Sequence, residues 1–550
     1  TPATDTGELV ARLRESAADA ELLARLSDRP AGRPRTAFLF TGQGSQYPRM
    51  TAALYEQSPL YRHFLDGADA ALLPYTGRSV RDLILAGDEA VHSTRWTQPA
   101  LFAVGYALGR TLTELGVHPG MLLGHSVGEF AAAVLARALP LDGAARLVAA
   151  RGALMQELPT GGGMLAVRAA GADMDARIEP EPLVGVAAVN GPTSTVLSGD
   201  LEALERIGAE FAAAGVSTRR LQVSHAFHSP LMRPMLDRFA KVAGEVGGGV
   251  PEIPLYSTVR GRVLDGEAMD AAYWVEHIGA TVLFGDAAAA LLADGPTHLV
   301  ETGPQPVLSG MVRRLDQGAV PAHVLPVRGP ESAGRALAEA LAELYRGGVE
   351  PDWDAAYAPE ERVAHPLPPY TFSTEHRYWA RNPVRGAETV APLAGPTAPA
   401  LAAHREPETV TASLLTLDRP GGGPADPVGD AVLGAVRLVG GYIDADIGPH
   451  DRLYEDLGFD SVMIMELKNR LETRLAGVGT LTVQDLLPRL SSVGDLIAFL
   501  RELGATVPGP ASSGGIEENR ARKEEDRALR EEDRALREED RALREEERTA

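Results

Sequence analysis

The 550-residue chain has no cysteine, which excludes disulfide frameworks, thiolate metal sites and cysteine nucleophiles together. No apolar run approaches the roughly 18 uninterrupted residues that a membrane span requires, so no membrane partner is expected. Basic residues are outnumbered, 53 Lys and Arg against 75 Asp and Glu, leaving a formal net charge of −22. A field of that sign repels nucleic acid and anionic membranes, while leaving room for a local basic pocket that takes an anionic cofactor. The first ten residues lack the basic and apolar blocks of a signal peptide, and a cytoplasmic location is expected. What remains is 45% hydrophobic and 23% charged, the composition of a folded chain with about three to four domain-sized units.

Residues 1–35 read as lead-in helices and linker, with apolar residues at helical spacing between Glu8 and Leu26 and a stop at Pro30 and Pro34. Thr36–Phe40 suits a buried strand that breaks into a Gly-rich loop, and strand-like runs then alternate with helical stretches to about residue 330. That alternation predicts an α/β fold. Within it, residues 160–224 follow the order strand, helix, strand, strand, helix, strand, which is that of a small ferredoxin-like insert. Residues 331–380 follow as a linker. Residues 381–428 are dense in Pro, Gly, Ala and Thr and read as a flexible tether. Helical spacing returns over 429–502, a small helical bundle, and a second linker covers 503–515. Residues 516–550 contain three copies of Glu-Glu-Asp-Arg-Ala-Leu-Arg, beginning at Glu524, Glu531 and Glu538. The only apolar residues of each copy are adjacent, so a coiled-coil seam is weak and a solvated charged helix or a docking element is expected.

Gly124-His-Ser-Val-Gly128 lies between an apolar strand and a helix, the setting in which a strained turn exposes a nucleophilic Ser. Its alternative is a close-packed turn that uses glycine for room. A Ser nucleophile needs a base, and Ser224-His-Ala-Phe-His-Ser229 supplies two histidines between which spacing does not choose. The amide after the nucleophile, that of Val127, is the first oxyanion donor, and the loop Gly42-Gln-Gly-Ser-Gln46 is the source of a second.

Thr41-Gly-Gln-Gly-Ser-Gln46, Thr97-Gln-Pro-Ala100, Gly124–Glu129, Arg151-Gly-Ala-Leu-Met-Gln156, Asn190-Gly-Pro192, His225-Ala-Phe-His228 and Glu301-Thr-Gly-Pro304 occur in one order. Together they resemble the malonyl-CoA:acyl-carrier-protein acyltransferases, and most of all the acyltransferase domains of modular polyketide synthases. The resemblance covers about residues 36–330 and implies an α/β-hydrolase-like core. It implies Ser126 as the acylated nucleophile, His228 as its base, and the amides of Gln43 and Val127 as the oxyanion hole. Arg151 would hold the free carboxylate of a malonyl group, work that suits a bidentate guanidinium. Gln98 would lie near the acyl pocket, where helix capping is an equally good account of it. Phe227 would crowd an α-methyl branch and favour malonyl, an effect worth about 1–3 kcal/mol; unusual extenders such as methoxymalonyl stay open. His277 occupies the position expected to orient the catalytic histidine through its backbone carbonyl. Leu367–Phe372 and Arg377–Trp379 resemble the linker that packs back on such domains.

Leu457-Gly-Phe-Asp-Ser461, followed by Glu466-Leu-Lys-Asn-Arg470, is an ordinary helix start with Ser461 as N-cap. It also resembles the attachment site of four-helix acyl carrier proteins, which implies covalent 4′-phosphopantetheine on Ser461 and a thiol that the chain itself lacks. The implied partners are malonyl-CoA or a related extender, the chain's own carrier domain, a ketosynthase and a phosphopantetheinyl transferase, with no metal. Rival readings are a Ser hydrolase or thioesterase, a non-catalytic delivery or docking protein, and a loading unit.

Overall fold

The computed structural model describes residues 6–18, 33–221, 223–316, 320, 322–325, 333–357, 362, 426–440, 447–453, 457, 459, 461–477 and 492–506. The proposed linker motifs at 367–372 and 377–379, nearly all of the 381–428 tether, and the charged terminal repeat lie outside these residues.

Helix α1 (Thr6–Ala18) leads in. The core sheet then runs in the order β10-β9-β1-β2-β7-β8, built from β1 (Thr36–Phe40), β2 (Met121–Gly124), β7 (Leu255–Ser257), β8 (Arg262–Val263), β9 (His298–Thr302) and β10 (Ala322–Leu325). All neighbours pair in parallel except β7 with β8. A central parallel strand is covered on both faces and carries a continuous apolar run, and all five residues of β1, Thr-Ala-Phe-Leu-Phe, are buried. Helices α2 (Thr94–Glu114), α3 (Gly128–Leu135) and α4 (Leu141–Gln156) pack on one another beside this sheet.

The insert is a four-stranded antiparallel sheet of β3 (Gly162–Val167), β4 (Val184–Gly191), β5 (Ser194–Asp200) and β6 (Thr218–Leu221) in the order β4-β5-β3-β6. Helix α5 (Leu201–Ala213) covers it through Leu204, Ile207 and Phe211. This is the ferredoxin-like arrangement expected from the order of elements.

Downstream come α6 (Ala271–Gly279), α7 (Leu308–Leu315) and α8 (Ala333–Arg346). The described part of the C-terminal region contains α9 (Pro427–Gly440), α10 (Ser461–Arg474) and α11 (Val493–Glu502) around Val432, Val436, Leu467, Leu471, Leu496 and Leu500. Three helices of the expected four-helix bundle are therefore described, and residues 478–491 lie outside. Described residues up to Ala356 and from Asp426 onward belong to one compact unit.

Candidate active site

The chain leaves β2 at Gly124, turns through His125 and Ser126, and enters α3 at Gly128. A Cβ on Gly128 would stand 2.2 Å from the Phe40 carbonyl oxygen, so the helix can approach β1 this closely only with glycine there. Ser126 is held at φ 48°, a left-handed conformation that costs a non-glycine residue about 1–3 kcal/mol and survives only where packing imposes it. The close-packed-turn and strained-nucleophile readings of this pentapeptide thus describe one geometry, in which the glycines make room and the serine carries the strain.

His228, also left-handed at φ 55°, brings Nε2 to 2.7 Å from Ser126 Oγ. Its Nδ1–H donates to the Ala280 carbonyl at 2.8 Å, which fixes the tautomer and leaves Nε2 free to accept the serine proton. His225 Nε2 instead engages the Leu158 carbonyl at 3.1 Å. Spacing left the two histidines tied; tertiary structure separates them.

His277 does not orient His228. The accepting carbonyl belongs to Ala280, three residues farther on. His277 lies in α6, whereas Ala280 caps that helix in an extended conformation, so its C=O points away from the helical ladder. His277 instead places Nε2 3.2 Å from the Ser126 carbonyl and 4.0 Å from Glu129 Oε2, clamping the strained turn. Phe130 of α3 stacks on Trp274 of α6 with centroids 4.2 Å apart, a contact worth about 0.5–1.5 kcal/mol that ties the nucleophile's helix to the helix ending at Ala280.

Arg151, on α4 and only 2% exposed, donates from a terminal nitrogen to Ser126 Oγ at 3.3 Å. Its Nε has no hydrogen-bond partner, and burial pushes the guanidinium down to about 9. Burial first, and then the Arg151 cation, hold His228 down to about 3. Among the described residues neither group has an ion-pair partner. A buried cation with spare donors beside a serine–imidazole pair is a receptor for an anionic acyl group.

Gln98 on α2 donates to Met155 Sδ at 3.2 Å and keeps a buried, unpartnered Oε1. Phe227 is buried against the core between the two histidines. The Gly42–Gln46 loop lies against the turn, since a Cβ on Gly42 would stand 2.8 Å from the His125 carbonyl oxygen. Ser45 Oγ donating to the Gly42 carbonyl, and Gln46 Oε1 accepting from the Gly44 amide, pin the loop that holds Gln43. Val127 is the residue just before α3.

Reading by motif assigned no role to three groups here. Ala280 acts through a carbonyl, which no side-chain pattern marks. Asn190 Oδ1 accepts from His125 Nε2–H at 3.0 Å, and the Asn190-Gly-Pro192 motif is its only signal in the sequence. Glu129, fully buried, is held by Thr258 Oγ1 at 2.8 Å and by the Tyr273 hydroxyl; burial pushes its carboxyl up to about 7.

Comparison with known proteins gives two family matches, the acyl transferase domain over residues 37–351 and the phosphopantetheine attachment site over residues 430–500. The chain belongs to the acyl transferase domain family. Curated relatives are polyketide synthases: GfsA of Streptomyces halstedii, 39% identical over 85% of this chain, and Pks15/1 of Mycobacterium marinum, a phenolphthiocerol synthesis enzyme 40% identical over 66%. This chain spans 6% and 17% of those two proteins. Among solved structures, the acyltransferase domain of the second module of the salinomycin polyketide synthase is 42% identical, with a TM-score of 0.61 over 66% of this chain and 86% of that one. The malonyl-CoA:acyl carrier protein transacylase of Xanthomonas oryzae is 34% identical, with a TM-score of 0.52 over 56% of this chain and 98% of that one.

The acyl transferase domain is fused to a carrier domain whose family carries covalently attached 4′-phosphopantetheine. The described geometry fits such a group. Ser461 is the first residue of α10, and the unpaired amides and positive dipole end of a helix N-terminus favour a phosphodiester.

Proposed function

We propose that this chain transfers a malonyl group from malonyl-CoA, through an acyl ester on Ser126, to the phosphopantetheine thiol of its own carrier domain attached at Ser461. The observation that carries this reading is the half-buried Ser126 Oγ with two buried partners, His228 Nε2 at 2.7 Å and Arg151 at 3.3 Å.

Ser126 Oγ gives its proton to His228 Nε2 as it bonds to the thioester carbon, and the Gln43 and Val127 amides receive the oxyanion. Collapse of the tetrahedral adduct breaks the C–S bond, and His228 returns the proton to the departing coenzyme A thiolate. The phosphopantetheine group supplies the acceptor thiol for the second half. His228 is placed to take that thiol's proton, and Ser126 Oγ leaves with it. Ala280 keeps the imidazole in the required tautomer through both halves.

Arg151 binds the malonyl carboxylate and also tunes the base. Free, its cation holds His228 down; a carboxylate paired with it cancels that field and raises the basicity of His228. The general base therefore strengthens when the substrate with a free carboxylate is seated. Gln98 and Phe227 line the acyl pocket, and Phe227 narrows it against an α-methyl branch. A phosphopantetheinyl transferase and a ketosynthase are the partners this role requires, in the cytoplasm.

Intact-protein mass spectrometry of phosphopantetheinylated chain, incubated with malonyl-CoA or methylmalonyl-CoA and mapped by proteolysis, tests the reading. Malonyl mass on Ser126 and on the Ser461 arm is expected. Free malonate with an empty arm would make the protein a hydrolase, and an unmodified Ser126 with both thioesters would remove the mechanism.

A further inference from the structure

A cavity of about 220 Å³ opens between the insert, α7 and the described carrier helices. Asn190 on its acyltransferase wall holds His125, the residue next to Ser126. Met463 on its carrier wall is two residues from Ser461 along α10. The void thus lies between the insert, which reaches the neighbour of Ser126 through Asn190, and the helix that opens with Ser461.

Two arginines of the acyltransferase frame it. Arg168, just past β3, donates to the Val439 carbonyl at 3.0 Å. Val439 belongs to the last turn of α9, where carbonyls lack intrahelical donors and the helix end carries partial negative charge. A guanidinium from outside satisfies both. Arg314 of α7 reaches Met463 Sδ at 3.7 Å. The carrier has the complementary sign, with 11 acidic and 6 basic residues over 430–500. Met311 and Leu315 add an apolar floor from α7.

We propose that Arg168 and Arg314 form the surface on which the acyltransferase docks the carrier domain of its own chain, and that the cavity between them is the passage for the phosphopantetheine arm toward Ser126. This rests on the transfer reading above. It adds the residues that recognise the acceptor, which the serine, histidine and Arg151 do not touch. Arg168 grips a helix end by its backbone, which recognises the fold of a carrier, while Arg314 sits beside the helix that opens with the attachment serine.

The absence of cysteine makes the docking directly testable in chain that carries no phosphopantetheine, because every thiol adduct there must come from an introduced residue. Thr193 and Gly440 line the same cavity from opposite sides. In the full chain, T193C with G440C should be bridged by a short bis-maleimide at least tenfold faster than T193C with E502C. Glu502 neighbours Arg501, which pairs with Asp426 at the far end of α9, roughly 20 Å of helix from Gly440. Adding R168E should slow the T193C–G440C bridge about tenfold, and raising the salt concentration should weaken it further.

A second measurement does not depend on the cysteine variants. In R168E/R314E whose Ser126 has first been loaded with malonyl, transfer from Ser126 to the arm should fall at least tenfold relative to the equally loaded wild-type chain. Bridging no faster than in the E502C control, or arm loading by R168E/R314E at the wild-type rate, overturns the docking surface. Failure of Ser126 to take malonyl in the wild-type chain would instead remove the transfer reading, and the cross-linking rates would still decide the docking.

Discussion

The acyltransferase and carrier parts of this chain bury different things. Around Ser126 the fold encloses Gln98, Glu129, Arg151, His225, His228 and His277, all nearly or wholly out of solvent. Among the described residues of the carrier, every buried side chain is apolar. An unpartnered buried polar atom costs about 1–3 kcal/mol, and the acyltransferase core holds several, on Gln98, Arg151, His225 and His277, against one, Arg437 Nε, among the described carrier residues. A domain of more than 300 residues can carry that cost; one of about 75 residues has little surplus stability to set against it. The difference teaches a division of labour. Under the proposed function, desolvated, strained chemistry belongs in the large domain, and the small one needs only a serine at a helix start.

The largest effect that sharpens this contrast comes from removing each serine in turn. S126A should abolish acyl-enzyme formation, and H228A should slow it by about 10³–10⁴-fold. S461A should leave acylation of Ser126 at the wild-type rate while abolishing phosphopantetheinylation. Mass spectrometry with malonyl-CoA separates the cases, and a loss of Ser126 acylation in S461A would break the division.

Arg151 comes next. R151A should lower kcat/KM for malonyl-CoA by about 10²-fold, since a charged hydrogen-bonded pair is lost from a buried site, and should shift preference toward acetyl-CoA. Its pH behaviour is a sharper readout. In the wild-type protein His228 is held near 3, so it is neutral and able to accept a proton throughout pH 5–8, and the acylation rate should stay flat on its acid side down to about pH 5. Burial acts first and the Arg151 cation second, so removing the cation raises the imidazole toward its ordinary value. The acid limb of R151A, followed with acetyl-CoA, should move to higher pH. A limb that stays in place would detach Arg151 from the base.

Glu129 tests whether buried polarity in the large domain carries the cost argued for it. Its carboxyl is pushed up to about 7, chiefly by burial. A carboxyl raised in the folded state contributes stability that is complete below its unfolded value near 4.5 and is lost as pH rises through about 7. Over that window the wild-type chain should lose about 3 kcal/mol relative to E129Q, by the worth of a pKa unit. Denaturant unfolding of both at pH 4 and pH 8 measures the difference. Parallel pH dependence would mean that the hydroxyls of Thr258 and Tyr273 already carry the ionised form without cost.

Much of this arrangement is legible in the chain. Gly124-His-Ser-Val-Gly128 announces a strand–turn–helix because an apolar run, two glycines and helix formers meet there, and the insert's four strands all fall within residues 160–224 in the expected order. What is not legible is long-range or carried by backbone. His225 and His228 differ in function because one turn places His228 left-handed beside Ser126, and a three-residue offset carries no trace of it. Ala280 has no polar side chain to notice. The Glu129–Thr258–Tyr273 cluster joins residues more than 120 positions apart, and only the packing of α3 against β7 and α6 brings them together.

Phe227 gives the smallest effect and the finest test of the comparison. It is 7% exposed and packs in the same core cluster as Trp274 and Met155, so F227A should cost stability as any large-to-small core change does, about 3–5 kcal/mol. A carrier core change such as V436A would also cost stability, and nothing more. In F227A the vacated space lies beside the acyl site, so methylmalonyl-CoA should gain on malonyl-CoA by about tenfold in kcat/KM, the worth of one methyl group in a pocket. Competition between the two thioesters for Ser126, followed by mass, reads the ratio directly. An unchanged ratio in a folded F227A chain would place the selection elsewhere in the pocket, with Gln98 and Met155 the next groups to exchange.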